Sequence, residues 1–178
     1  LGPEVSDVDG NVESRKGTIS VFNGPEPTIC SYADVEAESQ AVGVWLQQCS
    51  ISGVLPQEIG VFVRSDSELS RVQTAVKAAG LQGRVLGKDM ATEEGFVSIT
   101  TMHLAKGMEF RVVAVMACDD EIIPSQVRID TAADEAELTE IYNTERQLLY
   151  VACTRARDQL HVSAVKPESE FLKDLLQK

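Results

Sequence analysis

The sequence lacks several features that mark common protein classes. No run of about 18 apolar residues occurs, so no membrane-spanning helix is expected. The four cysteines include no C-x-x-C pair and only two histidines are present, so the spacing of a zinc site is absent. We therefore expect reduced, mostly buried thiols in a cytoplasmic protein without a metal site or a membrane partner.

Basic residues are also scarce. Sixteen lysines and arginines face 28 acidic residues, and the net charge is -12. This balance argues against a protein that coats DNA through bulk positive charge. It leaves room for a local basic groove, because the acidic residues concentrate in segments 119–121 and 130–145.

A third absence concerns nucleotide binding. No G-x-x-x-x-G-K-[ST] loop occurs anywhere in the 178 residues. Without that loop, the chain has no cradle for a β-phosphate and no hydroxyl ligand for Mg²⁺. A complete nucleotide site of this type is therefore not expected within the chain.

The segments that are present alternate between strand and helix patterns. Length and composition suit one globular domain, which we place at 17–178 after a flexible lead-in at 1–16. The alternation predicts an α/β fold with a mostly parallel sheet. Strands are predicted at 18–22, 28–32, 59–63, 84–86, 97–101, 111–117 and 160–165, and helices at 33–49, 68–79, from Leu138 to the 155–157 region, and 169–176.

The segment 97–110 carries the clearest functional pattern. An alternating strand, VSITT, leads at once into a polar loop that contains His103, Lys106, Gly107 and Glu109. Open α/β sheets usually place ligand chemistry where a buried strand opens into such a loop.

Two arginines follow other elements. Arg64 comes directly after an apolar strand and before a helix, a layout that suits either an anion site or an exposed pair with Asp66 or Glu68. Arg155 lies at the end of the predicted helix that contains ERQLLYVACTRAR. If strand ends bring both arginines together, they could bind a triphosphate through bidentate hydrogen bonds. Solvated loops with ordinary ion pairs are the alternative.

Other polar or aromatic residues have a simpler interpretation. The acids at 119–121 could bind a metal, but a solvated loop is favoured. Trp45 is expected in the core and His161 in a strand. Glu38 interrupts the apolar stripe of the first helix, which indicates less burial in its first turns.

Three segments resemble motifs of one enzyme family. TMHLAKGMEF (101–110) and TERQLLYVACTRAR (144–157) resemble motifs V and VI of the UvrD/Rep-like superfamily 1 DNA helicases, and IGVFVRSDSEL (59–69) is similar to motif IV. The resemblance implies the C-terminal RecA-like domain of a helicase, with three layers. Only 81–96 separates motifs IV and V, so the large accessory domain often inserted there is absent or reduced.

The resemblance also implies roles for individual residues. Arg64 and Arg155 would contact the γ-phosphate of ATP, and Glu109 would contact its sugar side. Gly107 would permit a tight loop. Further residues would lie near single-stranded DNA or orient the motif VI helix: Thr101, His103 and Lys106 for the DNA, Tyr150 and Thr154 for the helix.

The implied partners are single-stranded DNA and an N-terminal RecA-like domain of the same protein, which would hold most of the Mg²⁺ ligands. The activity implied is ATP-driven translocation with 3′-to-5′ polarity. Two alternatives are a non-catalytic RecA-like interaction module and the motor subunit of a helicase–nuclease.

Overall fold

The computed structural model describes residues 4–6, 12–14, 25–87 and 91–172. Near the start of the chain, β1 (Glu4–Ser6) and β2 (Val12–Ser14) pair in antiparallel fashion. The strand predicted at 18–22 lies outside the described residues, as does the predicted C-terminal helix beyond Leu172.

Six further strands form one sheet. They are β3 (Thr28–Tyr32), β4 (Ile59–Val63), β5 (Gly83–Val85), β6 (Val97–Thr101), β7 (Phe110–Val115) and β8 (Ala156–Val165). Their order is β3-β8-β7-β4-β6-β5, and every neighbouring pair is parallel. The prediction of an α/β fold with a parallel sheet is confirmed.

Helices cover both faces of this sheet. They are α1 (Val35–Ile51), α2 (Leu69–Ala78), the short α3 (Gln126–Ile129) and α4 (Glu135–Cys153). One apolar cluster packs α1 and α2 against the sheet, and a second packs α4 against the opposite face. Parallel strands covered in this way are buried on both sides, which explains the continuous apolar run of β4. The result is the predicted three-layer arrangement.

Close approaches explain two glycines. A Cβ on Gly43 of α1 would lie 2.8 Å from the Cβ of Ala78, so glycine lets α1 and α2 pack closely. A Cβ on Gly60 of β4 would lie 2.5 Å from the ring of Phe110 on the neighbouring strand. Both positions therefore serve packing between elements.

Several boundaries differ from the sequence prediction. Helix α4 begins at Glu135, three residues before Leu138, because the Asp134 side chain accepts a hydrogen bond from the Glu137 N–H at 2.8 Å and caps it. Strand β8 begins at Ala156, where it pairs with Phe110, rather than at Leu160. Helix α2 begins at Leu69 without a side-chain cap, and the hydroxyls of Ser65 and Ser67 before it contact each other at 2.6 Å.

The core predictions for single residues are confirmed. Trp45 packs against the α1–α2 core, and its ring centroid lies 4.9 Å from that of His161 on β8. All four cysteines are free, and Cys49 and Cys118 are buried. Among the described helices, none combines the length and apolar character needed to cross a membrane.

Candidate functional site

Arg64 lies at the carboxyl end of β4 and is buried. Its Nε and Nη2 each donate to a carboxylate oxygen of Glu145 at 2.6 Å, and its Nη1 contacts Nε2 of His103 at 2.9 Å. The alternative of an exposed pair with Asp66 or Glu68 is therefore wrong. The contact network of Arg64 joins the three segments that resemble motifs IV, V and VI.

Glu145 is the acceptor at the centre of this network, and sequence reasoning missed it. Its side chain is fully buried on α4 and also accepts hydrogen bonds from Arg128 Nη1 at 2.9 Å and the Ser125 N–H at 3.3 Å. Burial alone would raise the pKa of Glu145, but the hydrogen bonds and charge of Arg64, aided by Arg128, hold this pKa below its usual value. The carboxylate is therefore ionised near neutral pH.

One signal in the sequence could have revealed Glu145. It lies on the same helix face as Ile141 and Leu149, four residues from each, and all three are buried. A carboxylate within an apolar stripe needs a buried partner.

His103 lies in the short 3-10 turn Met102–Leu104 that follows β6. Burial, together with the positive charge of Arg64, lowers the pKa of His103. A neutral ring can accept the Arg64 hydrogen bond at Nε2 while its proton is on Nδ1. Thr101 ends β6 and is partly exposed, and Lys106 is exposed in the loop that leads from this turn to β7.

Arg155 is held in the turn between α4 and β8. Its Nε donates to the Val151 carbonyl at 3.0 Å, its Nη1 to the Met108 carbonyl at 3.1 Å, and its Nη2 to the Thr154 hydroxyl at 3.2 Å. These contacts orient the guanidinium while leaving the side chain partly exposed. Thr154 also donates to the Val151 carbonyl at 2.9 Å, so it supports the turn that carries Arg155.

A cleft of about 340 Å³ opens beside this arginine. It brings Arg155 together with Glu109, as the sequence led us to expect, and it adds Arg157. Gly107 precedes it with φ +83°, a left-handed conformation that glycine adopts without steric cost. Tyr150 lies on α4 with 52% of its surface exposed, and its orienting role stays a prediction.

The two predicted phosphate-binding arginines do not meet in one cleft. Arg64 follows the carboxyl end of β4, where Phe62 pairs with Val115. Arg155 precedes the amino end of β8, where Ala156 pairs with Phe110. Phe110 and Val115 are five residues apart on β7, or about 16 Å. The expectation that strand ends bring both arginines together is thus wrong, because one lies at each end of the sheet.

A second charged network lies beside the carboxyl ends of β7 and β8. Buried Arg71 contacts Glu38 and also donates to both carboxylate oxygens of Asp119, at 2.6 and 3.1 Å. Glu38 is fully buried and accepts from the Ser163 hydroxyl at 2.6 Å, so the expectation of weaker burial there is wrong. Asp119 is likewise an ion-pair partner rather than part of a solvated loop.

The acids that follow Asp119 behave as expected. Asp120 and Glu121 are both exposed. Across the described residues, no group of three or more histidine, cysteine or acidic side chains is arranged to hold a metal ion.

Comparison with known proteins supports this motif assignment. Residues 85–167 match the family model of the UvrD-like helicase C-terminal domain. The Bacillus subtilis protein YjcD is 42% identical over 96 residues, which cover 49% of this chain and 12% of YjcD. The ATP-dependent DNA helicase UvrD1 of Mycobacterium leprae is 38% identical over 92 residues, which cover 46% of this chain and 11% of UvrD1.

A solved structure shows the same fold. The C-terminal domain of a possible DNA helicase from Lactobacillus plantarum WCFS1 superposes with a TM-score of 0.60 and 25% identity, over 84% of this chain and 80% of that one. The matched part is thus only about a tenth of the length of the curated relatives but most of the length of this solved domain. Residues 85–167 of this chain are therefore similar in sequence to the UvrD-like helicase C-terminal domain, and the fold agrees with that of a solved C-terminal domain of a possible DNA helicase.

Proposed function

We propose that this chain is the C-terminal motor half of an ATP-dependent DNA helicase or translocase. Relatives that match the chain, UvrD1 and the PcrA of Staphylococcus aureus, are named ATP-dependent DNA helicases. The observation that carries the proposal is the cleft in which Glu109 and the oriented guanidinium of Arg155 lie together. The cleft joins the two segments whose sequence resembles motifs V and VI.

This cleft suits the sugar and phosphate groups of a nucleotide. Arg155 retains exposed surface while three contacts fix its orientation, so it can donate hydrogen bonds to phosphate oxygens with little further ordering. The exposed carboxylate of Glu109 can accept hydrogen bonds from ribose hydroxyls. In the proposal, ATP binds between this domain and an N-terminal RecA-like domain, which holds most of the Mg²⁺ ligands.

Arg64 is not assigned to the γ-phosphate in this proposal, because it lies at the opposite end of the sheet from Arg155 and its guanidinium is held by Glu145 and His103. Its contact with His103 instead links Arg64 to the loop proposed to bind single-stranded DNA. Thr101, His103 and Lys106 would donate hydrogen bonds to strand phosphates or lie beside them.

The first test is Arg155→Ala in the complete protein that contains this chain. We expect ATP hydrolysis to fall by about 10³-fold or more, because an arginine at the transferred phosphate contributes about that much to catalysis. Circular dichroism and the thermal midpoint should stay near the wild-type values. Arg84→Ala is the matched control, because Arg84 lies on the edge strand β5 and, among the described residues, its side chain pairs only with the solvent-accessible Glu93.

Hydrolysis should also be measured for the chain by itself, with and without single-stranded DNA. The proposal expects no turnover, because the sequence contains no phosphate-binding loop. Robust DNA-stimulated turnover by the chain alone would contradict the half-site proposal. Wild-type turnover of the Arg155→Ala protein would contradict the role of Arg155 and favour a non-catalytic module.

A further inference from the structure

Two guanidinium groups share the single carboxylate of Glu145. Arg64 donates to it twice and Arg128 donates once, while Glu145 itself is fully buried. The neighbouring His103 is neutral when it accepts from Arg64. The cluster of Arg64, Arg128 and Glu145 therefore carries one excess positive charge, in a chain whose net charge is -12.

Arg128 is the more solvent-exposed of the two arginines in this cluster. The Arg64 side chain is 9% exposed, whereas the Arg128 side chain is 39% exposed. Within the described part of the chain, Arg128 makes side-chain hydrogen bonds and ion pairs only through Nη1, to Glu145. Its Nε and Nη2 groups therefore keep donors for a further partner, while Glu145 limits the freedom of the side chain.

Arg128 is also connected through α4 to the proposed DNA-contacting loop. It belongs to α3, which packs against α4, and the 3-10 turn that carries His103 packs against α4 too. The chain of contacts from Arg128 through Glu145 and Arg64 ends at His103. Arg128 lies outside the three segments that resemble helicase motifs, so the resemblance gives it no role.

We propose that Arg128 binds a phosphate of single-stranded DNA and extends the path formed by Thr101, His103 and Lys106. The inference rests on the proposed function, which places single-stranded DNA beside Thr101 and His103 at the carboxyl end of β6. A guanidinium fits because its remaining N–H groups form a planar fork that matches phosphate oxygens. Glu145 acts as the positioning residue, because its contact with Arg128 Nη1 orients the guanidinium before single-stranded DNA binds.

The test measures binding of oligothymidylate to the complete protein by fluorescence anisotropy over a series of salt concentrations. Wild type, Arg128→Gln and Arg146→Gln are compared. Each phosphate contact to a single strand contributes about 0.7 to the slope of log K against log salt. Arg128→Gln should therefore reduce the slope by about 0.7 and weaken binding about fivefold at about 0.1 M salt.

Arg146→Gln is the matched control because it removes the same single positive charge, from a residue of the neighbouring helix α4. The Arg146 guanidinium lies 4.8 Å from the ring centroid of Phe171, away from the Glu145 contacts, so its loss should leave the slope unchanged. A wild-type slope in Arg128→Gln would overturn the inference and leave Arg128 as a structural partner of Glu145.

A second measurement requires no substitution. Phenylglyoxal modifies accessible arginines, and mass spectrometry of the wild-type protein should show that oligothymidylate protects Arg128 while Arg146 reacts as before. Equal reaction of Arg128 with and without the strand would overturn the inference even if Arg128→Gln fails to fold. If wild type does not bind oligothymidylate at all, the proposed DNA path fails together with this inference.

Discussion

The pair between Arg64 and Glu145 offers a quantitative test of the site. In this pair, two hydrogen bonds of 2.6 Å join side chains that are 9% and 0% exposed. Replacing Glu145 by leucine would leave the Arg64 guanidinium buried without its carboxylate. Loss of one partner from a buried pair costs about 3–5 kcal/mol of unfolding free energy. Arg64→Met should cost less, because Arg128 still pairs with Glu145.

The double variant separates the pair from its surroundings. Arg64→Met with Glu145→Leu replaces both charges by apolar groups, a change that is often nearly neutral in buried sites. We therefore expect the double variant to cost at least about 2 kcal/mol less than the sum of the single variants. The free energies come from urea unfolding of the chain followed by circular dichroism at pH 7.

An exposed pair in the same chain provides the control. Arg157 donates to Asp158 at 2.9 Å, but both groups are solvent-accessible. The cycle Arg157→Met with Asp158→Leu should show far weaker coupling, since water screens such pairs. If the Arg64–Glu145 cycle is additive within about 0.5 kcal/mol, the claim that burial makes this pair interdependent is wrong.

Two further predictions concern the fold. Burial lowers the pKa of His161 to about 4, so the stability from the neutral ring is complete above pH 6.5 and is lost as the pH falls to about 4. This pKa shift corresponds to about 3 kcal/mol of unfolding free energy. The His161→Phe variant should lose this pH dependence while keeping an aromatic ring beside Trp45. An unchanged pH dependence of urea unfolding in that variant would refute the prediction. Gly60→Ala should cost about 1–3 kcal/mol, because the new methyl group would overlap the Phe110 ring, and a thermal midpoint equal to that of wild type would show that the ring moves without cost.

The arrangement of strands and helices was accessible from the sequence because its signals are local. Apolar runs such as Ile59–Val63 and the alternation in Val97–Thr101 identify strands that the structure confirms. Errors arose at boundaries. The helix predicted from Leu138 begins at Glu135, because Asp134 caps it and the acids of its first turn suit the positive end of the helix dipole.

Part of the candidate site was accessible in the same way. The sequence grouped Arg64, Glu109 and Arg155, and the structure brings Glu109 and Arg155 together but not Arg64. It placed His103 in the loop after a buried strand, where the structure has it. It missed Glu145, and it interpreted Glu38 as a sign of weak burial. In both cases a carboxylate interrupts an apolar helix face, and its partner comes from a segment distant along the chain.

The sequence by itself determined the fold class, the family resemblance and the identity of the polar residues in each loop. These properties depend on residue type and short-range spacing, which can be read directly from the sequence. Only the tertiary structure decided which charges meet. Arg64 pairs with Glu145, 81 residues away, and lies at the opposite end of the sheet from Arg155. Such pairings depend on strand order and register, because these set which ends of distant segments become neighbours.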